Sequence, residues 1–257
     1  MTYFVFDMDG TVTESSRVID PSMKMLLLNL AAYNKVIFVS GAGAATMSYQ
    51  LGTDLLSLAH MFMPCSTGQV WAQEKILHNE SIINTFDEEH AYFLMKYWNN
   101  NEFPLKPRTS RNIFDVRDGL INFSITGRPC SKEVRDAFIM WDNAMHDRKF
   151  IAYMFNKEFN NGDDNSLMAR VAGQTGIDIT LANVNKGNVL TWINEKEDVI
   201  FFGDQCQPDG NDHDIAKLID DDKLHQVNGP KETAKILMYK YIDFMPDLKK
   251  MLKDDLK

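Results

Sequence analysis

The stretch Tyr3-Phe4-Val5-Phe6-Asp7-Met8-Asp9-Gly10-Thr11 decides how the rest of the chain is read. Its aromatic and β-branched start reads as a buried strand. The strand ends in two aspartates one residue apart, then a glycine and a threonine. Side chains alternate faces along a strand, but past its carboxyl end the backbone turns and both carboxylates can converge on one point. Gly10 allows that bend without a Cβ penalty. Carboxylates so close repel each other, so the pair is expected to share a cation. Asp7 is then expected to attack phosphorus, and Asp9 to shuttle the proton of the entering or leaving oxygen. An Asp-x-Asp alone would be read as an acidic turn after an edge strand; the whole string behind a buried strand favours chemistry.

Working outward, the same design recurs. Residues 35–40 form a second apolar strand that ends in Ser40-Gly41-Ala42-Gly43. Residues 199–202 form a third, which ends in Gly203-Asp204. Asp20 and Pro21 read as the N-cap and first position of a helix running to about Tyr33, and another helix is closed by Gly52. A short strand is expected within residues 60–65. Strand, helix, strand, helix implies a parallel sheet with crossover connections.

In such a sheet ligands sit beyond the carboxyl ends of the strands. One crevice is therefore expected to receive Asp7, Asp9, Asp204, the Ser40 hydroxyl and the backbone amides from Gly41 onward. Oxygen ligands with several retained waters suit magnesium. Ser40 and the amides at the following helix start suit phosphoryl oxygens. Lys186, just ahead of a helix expected over residues 187–194, is suited to neutralise charge on Asp7 and the phosphoryl group. Asp204 is expected to ligate the cation, with Asn211 and Asp212 in support. This acidic loop lacks the alternation and terminal glutamate of a calcium loop.

The character changes near Gln73. Residues 86–98 read as an aromatic-rich amphipathic helix. Residues 113–116 and 120–125 read as a hairpin with a tight Asp118-Gly119 turn. Ser131 is suited to cap a helix reaching about His146, with a short helix over 150–156 and strands over 167–171 and 177–181. This is the pattern of an α+β module, residues 76–183, inserted into an α/β parallel-sheet domain made of residues 1–75 and 184–257. The charged tail after Lys249 reads as a frayed terminus.

Bulk properties exclude some partners. At 257 residues and a net charge of −9, neither nucleic acid nor an anionic membrane is expected as main partner. Three scattered cysteines, Cys65, Cys130 and Cys206, make neither a disulfide framework nor a zinc site. No apolar run approaches bilayer length and no basic leader precedes the first strand, so a cytoplasmic location is expected.

The Asp-x-Asp-Gly-Thr string behind its strand, the serine after the second strand, Lys186 and the Gly203-Asp204 loop resemble, in that order, the four motifs of the haloacid dehalogenase-like phosphotransferases. The resemblance implies a Rossmann-like core with an α+β cap between motifs two and three. The hairpin Val116-Arg117-Asp118-Gly119-Leu120-Ile121-Asn122-Phe123-Ser124-Ile125-Thr126-Gly127-Arg128-Pro129-Cys130-Ser131, followed by Arg135, is similar to the cap signature of eukaryotic-type phosphomannomutases. So is the loop from Gly203 to Ile215, and Gly173-Gln174 and Asp178 also fit. By this resemblance Arg117, Arg128 and Arg135 bind the non-reacting phosphate of a sugar, a role guanidinium forks suit. Asp178 accepts from sugar hydroxyls. Arg17, one residue off the family spacing, is a further substrate-binding candidate.

The activity implied is a magnesium-dependent phosphohexomutase, mannose 6-phosphate to mannose 1-phosphate, that is activated by hexose 1,6-bisphosphate and dimeric through the cap. Asp7 takes a phosphoryl group, and the other sugar hydroxyl, deprotonated by Asp9, reclaims it. The chain departs from that family in three places. Ser40-Gly41-Ala42-Gly43 replaces Gly-Gly-Ser-Asp, Cys65-Ser66-Thr67-Gly68 replaces Glu-Asn-Gly, and Gly176 stands where a substrate-binding serine is expected. These departures leave open the sugar and the choice between a mutase and a sugar-phosphate phosphatase on the same scaffold; a third reading, a non-catalytic sugar-phosphate binding protein, is disfavoured by the intact Asp7/Asp9 pair.

Overall fold

Every residue from Tyr3 to Phe6 is buried in the computed structural model, on both faces of strand β1 (Thr2–Asp7). Phe4 and Phe6 enter one hydrophobic cluster, Tyr3 and Val5 another. A strand covered on both sides is why the run is continuously apolar rather than alternating. The structure describes residues 2–108, 112–194, 197–208 and 210–254. Two compact units are formed, Met1–His78 with Lys186–Lys257, and Asn79–Asn185.

In the first unit β1 is followed by helix α1 (Pro21–Tyr33), strand β2 (Lys35–Val39), helices α2 (Ala44–Leu51) and α3 (Thr53–Leu58), and strands β3 (Met61–Met63), β4 (Gln69–Ala72) and β5 (Lys75–Asn79). Asp20 starts α1 as expected: its carboxylate accepts the Ser22 N–H at 2.9 Å and Pro21 stands at the first helical position. Gly52 closes α2 at φ 87°. The expected strand over residues 60–65 is only three residues long. Strands β4 and β5 were not anticipated, because the turn joining them uses Gln73 and Glu74 at φ 49° and 64° instead of the glycine or asparagine that marks a hairpin.

The second unit holds α4 (Glu88–Asn100), β6 (Phe114–Arg117), β7 (Leu120–Ser124), α5 (Lys132–Met145), α6 (Asp147–Phe159), β8 (Leu167–Ala172) and β9 (Gly176–Leu181). Ser131 caps α5, its hydroxyl accepting from the Val134 N–H at 3.3 Å. Helix α6 is far longer than the expected 150–156 segment. The antiparallel sheet runs β6-β7-β9-β8. Ile121, Phe123, Ala169, Ile177 and Ile179 point from it into a cluster with Trp98, Phe138 and Phe155. The alternate residues Asp115, Asn122, Asp178 and Arg170 form one row across all four strands.

The first unit then resumes with β10 (Asp198–Gly203), α7 (His213–Ala216), β11 (Leu224–Gln226), α8 (Pro230–Lys240) and α9 (Pro246–Asp254). The expected 187–194 helix is a 3-10 segment, Lys186–Trp192, and α7 is a single turn. The tail beyond Lys249 is helical to Asp254, not frayed, because Pro246 starts a helix there and Leu248 packs on the core. The sheet order is β11-β10-β1-β2-β3-β4-β5, with β10, β11, β2 and β3 parallel to their neighbours around β1. Strand order reverses at β1, which puts the switch point of the sheet at Asp7. No described helix is long and apolar enough to cross a membrane.

One packing detail carries a pH prediction. The His225 ring lies 4.7 Å from Phe202, centroid to centroid, and its Nε2 is 2.7 Å from the Tyr241 hydroxyl. Burial, and then nearby Lys240, pushes its pKa down to about 4. The folded protein therefore resists a proton that the unfolded chain accepts near 6.5. This part of the stability is present above pH 6.5 and is lost as pH falls from about 6.5 to about 4. For a partly buried ring the loss is about 1–2 kcal/mol. His225→Gln is expected to flatten urea midpoints measured across this window; an unchanged slope would refute the assignment.

Candidate active site

The ladder register sets the strand ends level. Asp7 pairs with Val39, Phe6 with Phe202, and Val39 with Met63. Ser40 and Asp204 therefore stand one step beyond the sheet on either side of Asp7. Asp7 is buried, and its Oδ1 accepts from the Lys186 ammonium at 2.5 Å while its Oδ2 accepts from the Thr11 hydroxyl at 3.2 Å. Lys186, 1% exposed, also donates to Asp212 at 2.6 Å. Asp212 in turn accepts the N–H groups of Asp204 and Gln205 through its other oxygen, at 3.1 and 3.0 Å. It thus ties the acidic loop to the lysine. Its position in the sequence implies support only; in the structure it is a full member of the cluster.

Two glycines make this closeness possible. Gly10, at φ +83°, is where a Cβ would collide with the Asp204 carboxylate. A Cβ at Gly203 would lie 2.7 Å from Asp212 Oδ2. The acidic side chains occupy the space that larger residues would fill.

The electrostatics follow from burial. Desolvation pushes the Asp7 carboxyl well above its ordinary range, aided by Asp212 and Asp204 and opposed by Lys186. Desolvation also raises Asp204, to about 6. Burial alone would push the Lys186 ammonium down, but Asp212 and Asp7 outweigh it and hold it above its usual value. One ammonium shared among three carboxylates leaves an excess of negative charge. Cys206 beside the cluster stays a thiol, pushed up to about 12 by burial and by Asp212 and Asp204.

That excess fits a divalent cation. Asp7, Asp204 and Asp212 each offer a carboxylate oxygen within 4.8 Å of the others. The neighbouring Asn211 has its amide oxygen buried with no hydrogen-bond partner among the described residues. Hard oxygen donors of this kind suit magnesium and its bound waters.

Asp9 is placed elsewhere. Its Oδ1 accepts from the Ser16 N–H at 2.7 Å and from the Gln50 side chain at 3.1 Å, and it is outside the acidic triad that its sequence position had suggested it would join as a ligand. A short bridge between Asp9 and Thr13 folds the loop back on itself just beyond the strand end. Arg17 follows on this loop and is exposed; its backbone carbonyl accepts from Gln50 at 3.0 Å. Ser40 is buried, and its hydroxyl accepts the Ala42 N–H at 3.0 Å. The substituted segment Cys65-Ser66 holds this loop from the other side, donating its N–H groups to the carbonyls of Ala42 and Ser40 at 3.0 and 2.8 Å. Gly41 lies between these anchors.

The remaining candidates lie in the second unit, on and beside its polar sheet face. The Arg128 guanidinium, although the residue is exposed, is held below its ordinary range first by desolvation and then by the charge of Arg117; Asp178 and Asp115 oppose this, and Arg135 adds to it. Arg117 also bonds Asp115 at 2.5 Å. Three arginines so placed repel one another and suit an anion. Asn122, absent from the sequence-based candidates, donates to Asp178 at 2.6 Å. The alternation of polar Asn122 and Ser124 with apolar Ile121 and Phe123 was its available signal. It also accounts for Gly176: a Cβ there would collide with the Asn122 amide.

Comparison with known proteins places these observations. A family model described as eukaryotic phosphomannomutase matches residues 23–242. A phosphomannomutase of Encephalitozoon cuniculi is 30% identical, over 83% of this chain and 84% of that protein. The phosphomannomutase of Saccharomyces cerevisiae is 28% identical over 92% of each. Among solved structures, a trehalose-6-phosphate phosphatase related protein superposes with a TM-score of 0.60 at 15% identity, covering 96% of this chain and 99% of that one. The C-terminal domain of a C. albicans trehalose-6-phosphate phosphatase gives 0.61 at 13%, covering 92% of this chain and 91% of that one. At such identities these structures speak to the haloacid dehalogenase-like fold alone.

Proposed function

Because the chain belongs to the eukaryotic phosphomannomutase family, we propose that it is a magnesium-dependent phosphohexomutase that interconverts mannose 6-phosphate and mannose 1-phosphate through an aspartyl phosphate on Asp7. The observation that carries this reading is the buried contact of Lys186 with both Asp7 and Asp212, beside Asp204. A nucleophilic carboxylate in so acidic a setting needs positive charge at the reacting phosphorus.

Asp7, Asp204 and Asp212 would hold the cation, which when bound offsets charge on the transferring phosphoryl oxygens. Asp7 attacks phosphorus, and Lys186 holds the attacking carboxylate in place. Ser40 and the Gly41 backbone hold phosphoryl oxygens. Asp9 protonates the departing sugar oxygen and later deprotonates the sugar hydroxyl that takes the group back. Arg117, Arg128 and Arg135 supply the charge for the phosphate that does not react. Asp178, fixed by Asn122, accepts from sugar hydroxyls. Hexose 1,6-bisphosphate as activator, a cytoplasmic location and a homodimer formed through the cap belong to the same proposal.

The test is mannose 1-phosphate with a catalytic amount of hexose 1,6-bisphosphate and magnesium. Isomer formation without stoichiometric inorganic phosphate is expected. Phosphate release without isomer would replace the mutase by a sugar-phosphate phosphatase. Tight binding with no turnover would leave a binding protein.

A further inference from the structure

The Asp9 carboxylate is held by groups that the chemistry above does not use. Gln50, on α2, is 3% exposed. Its Nε2 donates both to Asp9 Oδ1 at 3.1 Å and to the Arg17 backbone carbonyl at 3.0 Å, and the Gln50 backbone carbonyl accepts the Ile19 N–H at 2.8 Å. The loop after β1 is thereby clipped to α2 on both sides of Arg17. A second donor reaches the same oxygen: the Ser16 N–H, 2.7 Å away. Ser16 adopts φ 60°, a left-handed conformation that a non-glycine residue rarely takes. Both donors fall on Oδ1. Among the described residues, nothing donates to Oδ2.

We propose that Gln50 is a positioning residue for proton transfer, which with the Ser16 N–H occupies Oδ1 of Asp9 and so confines the transferable proton to Oδ2. This rests on the reading of Asp9 as acid and base given above. An oxygen that already accepts two N–H donors is poorly placed to carry a proton as well. In the forward step an Asp7 oxygen bonds to phosphorus. The bond from phosphorus to the sugar oxygen breaks with its electron pair on that oxygen, which takes the proton from Asp9 Oδ2. In the return step a sugar hydroxyl gives its proton to the ionised Oδ2 as its oxygen bonds to phosphorus and the Asp7–phosphorus bond breaks. Gln50 touches no reacting atom; it fixes which oxygen of Asp9 does.

The test compares two phosphoryl donors with the whole protein in magnesium. A hexose 1,6-bisphosphate expels an alkoxide that needs a proton. 2,4-Dinitrophenyl phosphate expels a phenolate that needs none. Single-turnover phosphorylation of Asp7 is read for Gln50→Glu, which keeps the side-chain volume but replaces the donor by a carboxylate, and for Gln50→Leu, with thermal melts to check folding. Both variants are expected to slow phosphorylation by the bisphosphate about 10- to 100-fold while changing the dinitrophenyl reaction by less than about three-fold. An equal fall with both donors would make Gln50 merely structural, and no fall with either would remove it from the reaction; each overturns the inference. Asp9→Asn serves as the independent arm. If it too fails to discriminate between the donors, the acid role of Asp9 is wrong. If it discriminates and the Gln50 variants do not, only the inference about Gln50 falls.

Discussion

Asp7→Asn is expected to lower turnover by about four to six orders of magnitude and, with magnesium chelated, to raise the melting temperature. The two effects share one cause. Asp7 sits buried among Asp204 and Asp212 with a single ammonium to share, and burial raises its carboxyl well above the usual range. A carboxylate whose folded pKa is raised opposes folding at neutral pH, and the opposition fades as pH falls and the group takes up its proton. Asparagine keeps an oxygen for Lys186 and presents an amide to the Thr11 hydroxyl, so the geometry survives while the charge is gone. The melting difference between variant and wild type should therefore be largest at and above neutral pH and shrink under acid conditions. Differential scanning across pH in a chelator, with transfer of label from a radiolabelled hexose bisphosphate to the protein, checks both halves. A variant that melts lower at neutral pH, or that still takes up label at the wild-type rate, would contradict the arrangement.

Lys186→Met has the opposite signature, losing both stability and activity. The ammonium is the only cation bonded to Asp7 and Asp212 among the described residues, and all three side chains are at most 4% exposed. Removing one partner of a buried ionic group leaves charges with neither water nor countercharge, which costs about 3–5 kcal/mol. Urea denaturation should show this as a lowered midpoint at unchanged slope. Adding Asp212→Asn to the variant should restore part of the loss, because it removes one of the stranded carboxylates. A single variant within about 1 kcal/mol of wild type, the range of exposed ion pairs, would show that solvent reaches the cluster. On this expectation Lys186 is a folding element in addition to the chemical role proposed for it.

Much of this site was legible in the residues because strand ends announce themselves. A continuous apolar run followed at once by Asp7, by Ser40 or by Gly203-Asp204 names both the strand and the edge where it stops. Once the strands are parallel and adjacent, their ends must meet. The helix starts at Asp20 and Ser131 were equally plain, because a cap is written in one residue. What stayed hidden depended on backbone conformation or on side-chain direction. Gln73 and Glu74 turn the chain in left-handed conformations that their residue types do not advertise. Asp9 lies two residues from Asp7, yet its carboxylate answers to Ser16 and Gln50, the latter 41 positions away. Asp212 could be recognised as acidic, but its grip on Lys186 and on the amides of Asp204 and Gln205 is a property of the folded loop. Asn122 escaped notice because a polar residue within a hairpin strand is usually facing solvent; here it is buried against Asp178.

The row Asp115, Asn122, Asp178 and Arg170 crosses four strands on a sheet whose opposite face is packed with aromatic and aliphatic side chains. That separation makes selectivity evolvable. Residues on the hydrophilic side can be exchanged while the oily side preserves the architecture. Because a Cβ at Gly176 would collide with the Asn122 amide, such exchanges must arrive in compatible combinations: a hydroxyl-bearing residue at 176 needs the amide opposite it moved or shortened.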